Sequence, residues 1–328
     1  MKSSLARSAR TALTVLFAVL PVALPAGAQT WPSKPVRLVN PFAAGGGTDV
    51  FARPIAAKLS QQMGQQFVIE NQGGAGGTLG AANAARAPAD GYTVLVGAVH
   101  HTIAESVYSK LPYNLERDFV PVTMLAVVPQ IIVMHPKSAA KTLPELIALA
   151  RDNPGKLSFG SAGNGTAHHL AGELFKVLTK TDLTHVPYRG AGPMMQDLLA
   201  GQFDMAFDGL GTSAAQIKGG KLRPIAVAAN KRSPVLSDIP TATEAGLPNF
   251  VVSTWYGLWF PRGTPQAAID RLYTETAKAL QLADIRDIWA AQGADAGGMP
   301  PPEFAKFVSS EIAKWARVAK ESNLKIDL

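Results

Sequence analysis

Cysteine is absent from all 328 residues, which excludes disulfides, thiolate metal sites and a cysteine nucleophile. Also missing is any uninterrupted apolar run of the roughly 20 residues a membrane-spanning helix needs. The best stretch, Thr11 to Leu24, contains Pro21 and stops at Pro25. Charge is sparse. The 31 Lys and Arg outnumber the 24 Asp and Glu, but they are scattered, so the basic stripe of a nucleic-acid binder is missing and no nucleic-acid partner is expected. A chain this long stabilises itself through one or two buried cores.

The N-terminus has a definite pattern. Lys2, Arg7 and Arg10 precede the apolar run, and Ala26-Gly27-Ala28 follows it. This is the layout of a secretory signal peptide cut after Ala28, so residues 1–28 are expected to be removed and the protein to work in the periplasm. What remains carries 28 basic and 24 acidic residues, a formal charge of +4, mildly attractive to anions.

Short β-branched runs alternate with longer Ala/Leu-rich segments, the mark of an α/β protein with mainly parallel sheets. Strands are expected at 36–39, 67–69, 93–96, 131–133, 157–159, 203–207 and 224–228. Helices are expected at 143–151, 166–178, 194–200, 265–280, 285–292 and 302–322. Phe304, Phe307, Val308, Ile312, Trp315 and Val318 recur at three- and four-residue spacing, a buried helix face. Two short crossings, near Val127 to Gln130 and Val251 to Trp255, suit the hinge of a two-domain chain.

Four Gly-rich turns follow strands and open helices: Asn40 to Asp49, Glu70 to Thr78, Gly160 to His168, and Tyr188 to Pro193. Glycine lets backbone approach a ligand, and a helix N-terminus offers unpaired N–H groups and positive dipole to a carboxylate or phosphate. Such loops collect at the carboxyl ends of the strands, where α/β proteins bind ligands. The loops lack both the Lys of a phosphate loop and the G-x-G-x-x-G spacing of a dinucleotide site. Neither a cofactor nor a metal is expected.

Taken in order, Pro41-Phe42-Ala43-Ala44-Gly45-Gly46-Gly47-Thr48-Asp49, Glu70-Asn71 with Gly74-Ala75-Gly76-Gly77, Ala89-Asp90-Gly91-Tyr92-Thr93, Asn153-Pro154-Gly155-Lys156-Leu157, Pro187-Tyr188-Arg189-Gly190 and Asp238-Ile239-Pro240-Thr241 with Glu244-Ala245-Gly246 resemble the Bug/TctC family. Its members are periplasmic receptors of tripartite tricarboxylate transporters. The resemblance implies a two-domain Venus-flytrap binding protein, type II-like, with two crossing hinge strands. Domain 1 would comprise residues 29–128 and 254–328, and domain 2 residues 129–253. It further implies a ligand carboxylate held by Phe42, Ala44, Gly45, Gly46, Thr48 and Asp49 on one wall and by Gly74, Ala75, Gly76 and Thr78 on the next. Ser161, Asn164, Thr166, His168, Tyr188 and Asp208 would close over it from domain 2. One departure is Pro54, which removes a backbone donor from the first helix and predicts a kink if it lies past the first turn.

Single residues leave alternatives. Asp49 either touches the ligand or caps its helix. Arg189 is either a carboxylate clamp or part of a surface or hinge ion pair. One of His100 and His101 is a candidate to face the cleft, being at the ligand end of a strand. Adjacent His168 and His169 point in different directions, which argues against a two-His metal site. The expected function is capture of a small organic carboxylate, whether a dicarboxylate, an amino-dicarboxylate or an aromatic or nicotinate-like acid. Delivery would be by a monomer to membrane transporter subunits. A membrane sensor is the alternative partner. Catalysis is disfavoured: Ser161, His168 and Asp208 could compose a triad, but Ser161 lacks the G-x-S-x-G elbow.

Overall fold

The computed structural model describes residues 31–321 and Lys325; the signal-peptide reading and its cut after Ala28 lie outside them. In chain order the first part runs β1 (Val36–Asn40), α1 (Gly47–Met63), β2 (Phe67–Asn71), α2 (Thr78–Ala85), β3 (Thr93–Ala98), α3 (His100–Val107) and α4 (Leu115–Asp118). The middle runs β4 (Phe119–Met134), α5 (Leu143–Asp152), β5 (Ser158–Ser161), α6 (Ala167–Thr179), β6 (Thr184–Pro187), α7 (Ala191–Leu199), β7 (Met205–Gly209), α8 (Leu210–Lys218) and β8 (Arg223–Val227). The chain finishes with β9 (Ser253–Pro261), α9 (Gln266–Gln281), α10 (Ala283–Ala291), β10 (Asp295–Ala296) and α11 (Pro301–Glu321).

The strands join in the order β2-β1-β3-β9-β4-β7-β5-β6, with β8 and β10 also pairing with β4. β1 runs parallel to β2 and β3, and β5 parallel to β6 and β7. Both parallel groups meet the antiparallel pair β4 and β9. β4 is the shared member: Phe119–Pro129 pairs with β9, and Gln130–Met134 pairs with β7 and β8. The sheet therefore has two halves, one built from both ends of the chain and one from its middle. Their seam is the expected crossing: Gln130 N–H donates to Val252 O at 2.9 Å, and Val252 N–H to Ala228 O at 2.9 Å.

Local sequence explains these elements. All six residues of β3 are buried, as in a strand covered on both faces. α1 buries Phe51, Ile55 and Leu59 at helical spacing, and continues through Pro54, which stands past its first turn. The expected strand 131–133 is only the end of 16-residue β4, and α7 starts three residues ahead of the expected Met194, at Ala191. Apart from Gln130, the missed part of β4 is apolar or β-branched, and it is interrupted by Pro121 and Pro129, so it lacks the alternation that announces a strand. Among the described residues no helix is long and apolar enough to cross a membrane.

Close packing at the centre is tight. A Cβ on Gly97 of β3 would fall 2.7 Å from the Trp259 ring and 2.8 Å from the His101 ring, and both rings are fully buried. Gly97→Ala is therefore expected to destabilise the fold by about 1–3 kcal/mol, the usual cost of overpacking a core. The shift of the urea midpoint, at unchanged slope, measures it.

Candidate ligand-binding site

Four helices begin at one small cavity. Its lining comes from Gly46, Gly47 and Thr48 at the start of α1, from Val99 and His100 at the start of α3, from Thr166, Ala167 and His168 at the start of α6, and from Ala191 at the start of α7. Phe42, Ala98, Ala162, Thr254 and Tyr256 complete it. Each of these helices directs its positive end and its unpaired first N–H groups at the same spot. Two come from each half of the sheet. Among the described residues no Lys or Arg lines the cavity, and burial pushes the His100 and His168 imidazoles below their ordinary pKa. For His100 the neighbouring His101 and His168 add to this, whereas for His168 the Asp208 carboxylate opposes it. The walls therefore offer dipoles and neutral donors, not ionic charges. The cavity measures about 30 Å³, room for about two waters.

Several polar atoms here have no protein partner although they are fully buried: Thr48 Oγ1, His100 Nε2, His168 Nδ1 and Asp208 Oδ1. His168 Nε2 stands 3.7 Å from Asp208 Oδ1. Buried polar groups are nearly always paired, so a cluster of orphans beside one cavity is the mark of a site that pairs with something else.

The sequence-derived residues divide by position. Phe42, Gly46, Thr48, Thr166 and His168 line the cavity. Ala44 and Gly45 are exposed on the first loop. Asp49 is buried beneath that loop, where it accepts from Gly45 N–H at 3.1 Å, from Asn71 at 3.1 Å, and from Arg53 through two bonds of 2.7 and 2.8 Å. Of the two roles open to Asp49, the hydrogen bonds are those of a loop organiser. Gly74, Ala75, Gly76 and Thr78 stand away from the cavity wall; Thr78 Oγ donates back to Ala75 O at 2.9 Å. Gly76, at φ +61°, lies against the opposite half, where a Cβ would sit 2.2 Å from Asn164 O. Asn164 is exposed, and its carbonyl accepts from Tyr108 at 2.7 Å. Tyr188 turns to Asp197, bonding it at 2.9 Å. Asp208 is held through Oδ2 by Ser213 at 2.6 Å and by Thr212. The Arg189 side chain is exposed, and its carbonyl accepts from Ala43 N–H at 3.2 Å.

Ser161 is fully buried, and its Oγ lies 2.6 Å from His185 Nε2. The sequence offered no base for this serine because His185 comes from the neighbouring strand β6. Burial, then His169 and Lys176, hold the His185 pKa down to about 3, which weakens it as a base near neutral pH. Ser161 instead bonds Gly163 through both its N–H and its C=O, folding the loop that starts α6. Residues that sequence reasoning missed, Gly47, Ala98, Val99, Ala162, Ala167, Ala191, Thr254 and Tyr256, are mostly small or apolar. They contribute backbone and position, which no residue-type signal announces.

The glycines of the loops meet each other across the cavity mouth. A Cβ on Gly192 would stand 2.0 Å from Ala44 O, and one on Gly190 would stand 3.1 Å from Ala43 N. The two halves touch here backbone to backbone.

The sequence matches the family model of the tripartite tricarboxylate transporter family receptor over residues 51–324. Protein BugT of Bordetella pertussis (strain Tohama I) is 35% identical, covering 95% of this chain and 96% of that one. Among solved structures, an R. palustris protein with adipate is 38% identical with a TM-score of 0.87, covering 91% of this chain and all of its own. MatC from Rhodopseudomonas palustris with bound malate is 37% identical with a TM-score of 0.84, covering 88% of this chain and 99% of its own.

Burial pushes the Asp49 carboxyl up, but Arg53, Gly45 N–H and Asn71 together outweigh it and leave its pKa below the ordinary value. A lowered carboxylate pKa stabilises the fold above the unfolded value of about 3.9 and loses that contribution as pH falls through the folded value. Asp49→Asn should therefore cost about 1–3 kcal/mol at pH 7. The gap from wild type should shrink below about pH 4; a gap that widened there in urea titrations would contradict this account.

Proposed function

The chain belongs to the tripartite tricarboxylate transporter receptor family, and we propose that it captures a small organic carboxylate in the cavity between the two halves of its sheet. The observation that carries this is the meeting of four helix N-termini on one cavity that, among the described residues, no Lys or Arg lines. Four positive dipole ends brought together repel one another, and an anion between them turns that repulsion into attraction. The orphaned Thr48, His100 and His168 atoms supply hydrogen-bonding capacity suited to carboxylate oxygens or to waters bridging them. The relatives solved with adipate and malate support a carboxylate as the ligand class. Dicarboxylates come first in order of support, and amino-dicarboxylates and aromatic or nicotinate-like acids follow.

Residues 29–128 with 254–328 act as domain 1 and residues 129–253 as domain 2, hinged where β4 and the return chain cross. A cavity of about 30 Å³ lies far below the roughly 300–1,000 Å³ of ordinary ligand sites. A ligand the size of adipate therefore enters an opened form, and the domains then close over it less tightly than in the state described, whose cavity is too small to hold it. Binding selects closure by differential affinity for the two forms. The closed protein works as a binder and not as an enzyme, as a monomer in the periplasm that hands its ligand to membrane transporter subunits.

A thermal-shift screen against small carboxylates and their matched amides tests the ligand class. One acid should raise Tm by mass action while its amide does not; shifts only with sugars, amines or metals would sink the reading. Closure has its own test. Gly192 sits in α7, where alanine is the better helix former, and the nearest atoms its Cβ would meet belong to Ala44 and Gly45 across the cleft, Ala44 O at 2.0 Å. Gly192→Ala should fold normally yet fail to compact in small-angle scattering when the stabilising acid is added, whereas wild type compacts.

A further inference from the structure

Tyr256 was not singled out from the sequence, yet its hydroxyl occupies a central place in the site. It stands on β9, the strand that follows the return crossing, with its ring stacked on Phe51 at 4.9 Å and 26°. The residue is 4% exposed and lines the cavity. A Cβ on Gly47 would fall 2.0 Å from the Tyr256 hydroxyl, and one on Gly209 would fall 3.7 Å from it. The oxygen therefore lies between the first residue of α1 in one half and the residue preceding α8 in the other. Gly47 is required where it is because any side chain would displace that oxygen.

Burial raises the Tyr256 pKa, and the Asp208 carboxylate raises it further, so the group stays a neutral phenol with a proton to donate. Thr48, next to Gly47 in the first turn of α1, carries a buried hydroxyl with no partner. Both residues line the same cavity, beside the free N–H groups at the start of α1, and together they make a donor set that the two oxygens of a carboxylate satisfy.

We propose that Tyr256 is a ligand-binding, specificity-determining residue whose hydroxyl donates to the carboxylate seated on the first turn of α1, with Thr48 as the second side-chain donor. This rests on the carboxylate reading above and adds the group that tells an acid from its amide at that position. A carboxylate presents lone pairs on both oxygens to the converging donors. An amide presents one acceptor, and its NH2 meets donors that cannot accept from the same direction.

The test is calorimetric titration of wild type and Tyr256→Phe with adipate, malate and benzoate and with the corresponding amides. Phenylalanine keeps the ring on Phe51, so the ligand-free Tm should stay within about 2 °C of wild type, the scale of a sub-kcal/mol change. The variant should bind the acid that wild type prefers roughly ten- to a hundredfold more weakly, the loss expected for a hydrogen bond to a charged acceptor, while any amide binding changes little. Equal affinity of the two proteins for that acid would overturn the assignment of Tyr256 and leave carboxylate capture standing. Equal weakening for acid and amide would also overturn it, since the hydroxyl would then only shape the cavity. If wild type binds none of the three acids, the functional reading fails and the role of Tyr256 falls with it.

Discussion

Everything at the centre of this molecule depends on bringing the positive ends of α1, α3, α6 and α7 together without a cationic side chain between them. Dipole ends are a weaker lure than a guanidinium, but they are fixed by the backbone and cost nothing to orient when a ligand arrives. The loops must be glycine-rich for that geometry to exist. Gly192 against Ala44 and Gly76 against Asn164 allow two backbones to approach to distances that any side chain would prevent. The same contacts keep the cavity between them small.

The buried scaffold explains why the ends stay aimed. Asp49 ties the first loop to β2 through Asn71 and to α1 through Arg53, so the start of α1 is fixed from two sides. On the far side, Ser161 and Thr166 both bond Gly163, which sets the turn into α6. Polar residues inside a protein are costly unless paired. Among the described residues, Thr48, His100 and His168 each keep a buried polar atom unpaired at the cavity, and so does Asp208 beside it.

Much of this was legible in the chain because helices and strands announce themselves through period and punctuation. β1, β3, α1 and α6 were each marked by an apolar run closed by glycine or a capping residue, and the four loops by their glycines. The loops were readable as a group, but which glycine faces a ligand and which faces another loop was not. Gly46 and Gly76 look alike in sequence, yet one lines the cavity and the other abuts Asn164. Asp49 read equally well as contact or cap, and its five hydrogen bonds come partly from Asn71, twenty-two positions away. Tyr256 was invisible because an aromatic in an apolar strand is ordinarily core, and only the three-dimensional approach of Gly47 exposes its hydroxyl as a working group.

The placement of β9 between β3 and β4 bears on how the chain comes together in time. Its neighbours are complete by residue 134, but the strand that welds them arrives more than a hundred residues later. Until then β3 and the first stretch of β4 have open edges and no shared partner. Pairings so distant along a chain are slow to form because loop closure must precede any reward. The strands on either side can pair within their own groups earlier, but the joint between β3 and β4 has to wait for the last strand of the sheet's centre.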